Sequence, residues 1–176
     1  MTNGGFESEA TGTGFDWRIG SDRNGHWTVR RDTAGGRRGG SALQVDFDGR
    51  ENLAFHHLYQ VVAVTPQASC RLAFWWRDKG LTTDQFPYIE VTGYDASGLS
   101  ARSPALQGAK EWQRADIAFT PPADCQAVVV RLRRRPSGRF DNKIRGRLWL
   151  DDFELQQMAG VPATATGGND EAHAGT

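Results

Sequence analysis

The sequence predicts an all-β protein, an antiparallel sandwich or barrel. Apolar residues recur with a period of two along nearly every strand-like stretch. Gly, Pro, Asn and Asp punctuate the chain between those stretches. No segment shows the 3.6-residue apolar stripe of an amphipathic helix, and many short strands with turns between them make a sandwich or a barrel.

The elements follow in order. The opening MTNGGFESEATGTGFDW has neither the cationic start and apolar run of a secretory leader nor helical spacing. It reads as a short extended segment that docks Phe6 into something built later. SALQVDFDG sets Leu43, Val45 and Phe47 against Gln44, Asp46 and Asp48. A run from Leu53 is ended by Pro66. In SCRLAFWWRD, Cys70, Leu72, Phe74 and Trp76 share one face, and Arg71, Ala73, Trp75 and Arg77 the other. PYIEVTGYD places Ile89 and Val91 opposite Tyr88, Glu90, Thr92 and Tyr94. WQRADIAFTPP opposes Ala115, Ile117 and Phe119 to Arg114 and Asp116. QAVVVRLRRRP carries Val128, Val130 and Leu132, and RLWLDDFELQ closes the ordered part. Residues 1–157 read as one domain. Residues 158–176, small and polar without an apolar pattern, read as a disordered tail or linker.

Length and charge bound the function. The 176 residues suffice for one domain with a sizeable core. The 21 Lys and Arg balance the 21 Asp and Glu, so no long-range pull on nucleic acid or an anionic membrane is expected. No apolar run approaches a membrane span. Cys70 and Cys125 are too few for a disulfide framework or a zinc site. Two buried thiols and a single disulfide both remain open.

The order of motifs carries a resemblance. NGGFE is followed by the Trp-bearing FDWRI and HWTVRRD, then by GGSALQVDF, LYQVVAVTP, CRLAFWWR, EWQRADIAFTPP and LWLDDFEL. This resembles the carbohydrate-binding modules of families four, nine and twenty-two, within the galactose-binding-like jelly rolls. The resemblance covers about residues 3 to 156, and its first and last motifs are the most specific. It implies a β-sandwich jelly roll that binds a polysaccharide or oligosaccharide without catalysis. It also implies a place beside other domains in a larger exported bacterial protein, extracellular or periplasmic. A structural or protein-interaction domain of the same fold is the alternative.

Three groups of residues are candidates for a site. In modules of this kind the first strand lies near the last, and acidic groups there surround a structural calcium. Glu7, Asp151 and Asp152 are the matching residues, and calcium takes six to eight oxygens from carboxylates and carbonyls. Neighbours on a strand face opposite ways, so one aspartate at most is expected to share a site with Glu7. Hydrogen bonds to backbone N–H or Arg are the other use of these carboxylates.

The second group is aromatic. Trp76 shares a face with the core residues of its strand, whereas Trp75 lies with Arg71 and Arg77. If that strand neighbours the next, then Trp75, Tyr88, Glu90, Tyr94, Arg71 and Arg77 line one sheet surface. Sugar rings pair apolar faces with a rim of hydroxyls, and such a surface would suit them. Trp17 and Trp27 are expected to cap a sandwich end, and Trp112 and Trp149 to lie in the core or at an edge.

The third group is basic: Arg131, Arg133, Arg134, Arg135 and Arg139, with Lys143, Arg145, Arg147, Arg37 and Arg38. It reads first as a solvated strand end and hairpin, and second as a site for acidic polysaccharide or phosphate. No nucleophile elbow, metal-ligand histidine spacing or phosphate-cradling glycine loop is present. The adjacent His56 and His57 are expected on opposite faces of a strand.

Overall fold

The structure is a computed structural model and describes residues 1–158. Its elements are β1 (Arg18–Ile19), β2 (Trp27–Asp32), β3 (Ala42–Asp48), β4 (Phe55–Ala63) and β5 (Ser69–Thr82). β6 (Tyr88–Gly93), β7 (Ser100–Arg102), β8 (Gln113–Phe119), β9 (Ala127–Arg134) and β10 (Arg145–Met158) complete them. Two five-stranded antiparallel sheets result. The first has the order β1-β4-β9-β6-β7 and the second β2-β3-β10-β5-β8. No helix among these residues is long and apolar enough to cross a membrane. β10 runs through Met158, one residue past the expected end of the domain; the rest of the expected tail lies outside the described residues.

The period-two alternation decides which residues meet between the sheets. Leu58, Val62, Ile89, Val91, Val130 and Leu132 come from the first sheet; Leu43, Val45, Leu72, Phe74, Leu148 and Leu150 come from the second. Trp76 is buried among them, as its register requires. Trp17 and Trp27 are buried in the core itself. Cys70 and Cys125 are free and buried, and burial followed by the proximity of Cys125 pushes the Cys70 thiol up.

Phe6 finds its partners at one end of this core. Its ring lies 5.2 Å from Trp17 and 6.1 Å from Phe153, and Phe153 stacks on Phe74 at 5.0 Å. Burial of this ring holds Phe6 at φ +54°, a region bulky residues avoid. The segment before it is stitched to β10 by Phe153 N–H donating to the Gly4 carbonyl at 2.9 Å. A Cβ on Gly4 would collide with the Phe153 carbonyl, so glycine is needed there.

The basic run departs from the expected solvated hairpin at one position. Arg134 points inward at a sandwich end and is fully buried. Its Nε donates to the Gln85 carbonyl, Nη1 to Asn52 Oδ1 and the Leu53 carbonyl, and Nη2 to Thr83 Oγ1 and the Asn142 carbonyl. One guanidinium thus ties three loops, and its donors leave no charge stranded in a dry interior.

His57 lies in the irregular start of β4, stacked on Trp27 at 5.0 Å and on His56 at 4.2 Å. Burial, and then the charge of His56, push its pKa below 6.5, while Asp22 opposes the shift. A histidine held neutral by the fold stabilises it above the free value, and that stability is lost as pH falls through the lowered one. The melting temperature is therefore expected to fall on acidification below about pH 6.5, and His57→Phe to flatten that part of the profile. A calorimetric pH series on both proteins measures this. Trp76→Ala and Phe6→Ala are each expected to cost about 3–5 kcal/mol in urea denaturation, because each removes a large ring from a packed core.

Candidate functional site

The outer face of the first sheet carries a continuous polar row. Arg18 of β1 pairs with Tyr59 of β4, Tyr59 with Arg131 of β9, Arg131 with Glu90 of β6, and Glu90 with Arg102 of β7. The row crosses all five strands, roughly 19 Å at about 4.8 Å per strand. Tyr88 pairs with Arg133 one step along. Guanidiniums flank the aromatic rings: Arg18 lies 5.7 Å from the Tyr59 centroid and Arg102 5.6 Å from that of Tyr88. Glu90 is buried to 8% exposure, with Arg135 Nη2 at 3.8 Å from its Oε1. Tyr94 follows β6 and is 52% exposed.

The second sheet's outer face holds the other aromatic candidates. Trp75 is half-buried, and the Arg37 guanidinium covers its ring at 4.1 Å. Trp75 lines a cleft of about 380 Å³ with Arg37, Arg38, Arg114, Asp152 and Glu154. Arg77 is held between Trp149 at 4.6 Å and Trp112 at 5.1 Å, and Trp149 Nε1 donates to Asp32 Oδ2. Arg71 pairs with Asp116 at 2.9 Å.

The six residues expected on one surface are thus divided. Tyr88 and Glu90 face outward from the first sheet, whereas Trp75, Arg71 and Arg77 face outward from the second. The alternation within each strand is as expected; the neighbour relation is not. β5 pairs with β10 and β8, and β6 with β9 and β7, because the chain crosses between sheets after Thr82. Sequence reasoning passed over Arg18, Tyr59 and Arg102. The alternation of Leu58, Gln60 and Val62 in LYQVV does place Tyr59 on the outer face, but it does not say which strands lie beside it.

The acidic residues meet at the junction of the first and last segments. β10 has one extra residue between Asp151, opposite Trp75, and Glu154, opposite Ala73. The extra residue is Asp152, at φ +49°, a conformation that aspartate tolerates better than most. The bulge overturns the expectation that the two aspartates face opposite ways. Arg37 N–H donates to Asp151 Oδ2 at 2.8 Å, and Arg37 Nη2 lies 2.6 Å from Asp152 Oδ2. Glu7 accepts from the Ser41 N–H at 3.2 Å through both carboxylate oxygens. A Cβ on Gly5 would sit 3.6 Å from Asp152 Oδ1, 3.9 Å from Asp151 Oδ1 and 3.9 Å from Glu7 Cγ, while the Glu7 carboxylate itself turns to Gly40 and the Ser41 N–H.

The buried carboxylate of Asp151 is the feature there that would suit a hard cation. Asp151 is 3% exposed, and burial first, then the charges of Asp152 and Glu7, push its pKa above the ordinary 3.8 against the backbone hydrogen bonds that lower it. Its oxygens accept from the Arg37 and Asp152 N–H groups and keep further lone pairs. Among the described residues no three His, Cys, Asp or Glu side chains close together as a metal cage. Arg37 occupies Asp152, so the groups suited to calcium are Glu7, Asp151 and backbone carbonyls.

No protein-family model and no curated protein matches the sequence. Solved structures do match. A CBM4 module is 13% identical, covering 89% of this chain and 99% of its own, with a TM-score of 0.60. A CBM61 module solved with β-1,4-galactotriose is 21% identical, covering 90% and 97%, with a TM-score of 0.55. A CBM22-1 xylan-binding domain from Paenibacillus barcinonensis is 12% identical, covering 89% and 93%, also at 0.55. The chain has the β-sandwich jelly-roll fold of these carbohydrate-binding modules.

Trp75→Ala is expected to leave the fold cooperative, at a cost of about 1–2 kcal/mol, because it removes a cation–π stack and partial burial but no core ring. Urea denaturation beside Trp76→Ala measures the contrast.

Proposed function

We propose that this protein is a non-catalytic module that binds polysaccharide on the outer face of its first sheet. The observation that carries the reading is the row Arg18–Tyr59–Arg131–Glu90–Arg102, with Tyr88 beside it. Tyr88, 5% exposed beneath Arg102, supports the face from within, whereas Tyr59, half-buried, offers ring surface for the C–H face of a sugar. Glu90 and the arginines offer acceptors and donors for its hydroxyls. The row is long enough for several sugar units, and Tyr94 extends the aromatic surface at one end. The fold likeness to modules solved with galactotriose or described as xylan-binding supports a glycan as ligand. Such a module would serve a larger exported protein that meets its polysaccharide outside the cell.

We also propose a structural calcium held by Glu7, Asp151 and carbonyls of the adjoining loops. It would neutralise a buried carboxylate and fasten the N-terminal segment to β10.

Affinity electrophoresis against a panel of soluble polysaccharides tests the first reading. Tyr59→Ala is expected to weaken binding about tenfold or more, the loss of roughly 1.4 kcal/mol. Trp75→Ala is expected to leave it unchanged. Loss of binding with Trp75→Ala alone would move the site to the cleft on the second sheet, and absence of binding to any polysaccharide would leave a structural or protein-interaction domain. For the metal, a chelator is expected to lower the melting temperature and calcium to restore it, worth roughly 2–4 kcal/mol at saturation. Glu7→Gln is expected to abolish the response. Elemental analysis without calcium and a melting temperature indifferent to chelator would overturn the proposal.

A further inference from the structure

The arginines on the two outer faces are treated differently. On the second sheet and the loop over it most have carboxylate partners; Arg145 and Arg77, whose Nε also lacks a hydrogen-bond partner among the described residues, are exceptions. Arg147 lies 2.6 Å from Asp46, Arg71 2.9 Å and Arg114 3.2 Å from Asp116, and Arg37 2.6 Å from Asp152. On the first sheet Arg18, Arg102, Arg131 and Arg133 face outward, with Arg135 just beyond β9. Glu90 is the one acid at an outward strand position there. Arg135 reaches it at 3.8 Å; the other four have no carboxylate within ion-pair distance among the described residues. The Nε atoms of Arg18, Arg131 and Arg133 are buried with no hydrogen-bond partner among those residues. The chain is neutral as a whole, so this is a positive face on an uncharged protein.

Such an arrangement costs stability unless something answers it. Arg131 and Arg133 repel as like charges on one face of β9, and a buried N–H without an acceptor forfeits its hydrogen bond. A guanidinium fork matches a carboxylate in two parallel hydrogen bonds, which a sugar hydroxyl cannot copy. We infer that the polysaccharide taken by this face is anionic, a uronate-bearing chain whose carboxylates pair with Arg131, with Arg133 beside it on β9 and with Arg18 two strands away. This rests on the glycan reading above and adds the chemical class. Tyr59 takes a ring face, and the arginines, spaced across the strands, take carboxylates along the chain.

Polygalacturonate is the probe, compared with carboxyl-reduced polygalacturonate, neutral β-1,4-galactan and xylan by isothermal titration. Polygalacturonate is expected to bind at least about tenfold more tightly than the neutral chains, and more weakly as salt rises. Arg131→Gln and Arg18→Gln are expected to remove most of that preference while the melting temperature stays within a few degrees. Arg131→Lys, which keeps the charge but loses the fork, is expected to fall between. Binding of neutral galactan or xylan as tight as that of polygalacturonate would overturn the anionic inference and leave the glycan reading standing. Binding of no polysaccharide would overturn both. Equal affinity for single-stranded DNA, or polygalacturonate binding indifferent to both glutamine variants, would overturn the assignment to this face.

Discussion

β10 runs through the middle of the second sheet, between β3 and β5, and its register is broken at Asp152. Much of the molecule is arranged around that break. The extra residue turns Phe153 into the core, where it stacks on Phe74 and receives Phe6 and Trp17. It also leaves Asp151 and Asp152 on one side of the sheet, where both engage Arg37. Without the bulge, strict alternation would send one carboxylate into the apolar interior, at a cost of several kcal/mol. The N-terminal segment closes over the same place through Gly4, and the loop from Gly35 to Ser41 meets Glu7 there. One irregular residue thus sets the seat of the first aromatic, the place of the acidic cluster and the path of a long loop.

The two outer faces differ in how their charges are met. On the second sheet's outer face most arginines lie beside aspartates or over indole rings. Most of these pairs are exposed enough that each contributes little. The first sheet's outer face keeps its arginines without such partners around two tyrosines and Glu90. Arginines left unpaired in this way add little to folding, and the proposed pairing with an anionic chain rests on them.

Much of the architecture was legible in the residues. Alternation named the core positions of the strands at 43–47, 70–76, 89–91 and 128–132, and it separated Trp75 from Trp76. It could do so because burial between two sheets is a property of each strand by itself. The aspartates were misread because a β-bulge leaves no mark in apolar spacing; DDF reads as plain alternation. Arg134 was misread because its burial depends on carbonyls from three distant loops. The alternation that turns Val128, Val130 and Leu132 inward does extend to Arg134, but it does not show that a charge can be housed there.

By itself, then, the sequence determined the fold class, the inward face of each strand and the identity of the acids near the ends of the domain. Those follow from local periodicity and from the chemistry of single side chains. Only the tertiary structure decided which outward faces join into one surface. A strand's two faces are written in its own residues, but its neighbours depend on the crossings between sheets. That is why Trp75 and Tyr88, read as companions, stand on opposite sides of the protein, and why Arg18, Tyr59, Arg131, Glu90 and Arg102, scattered over 114 positions of chain, form one row.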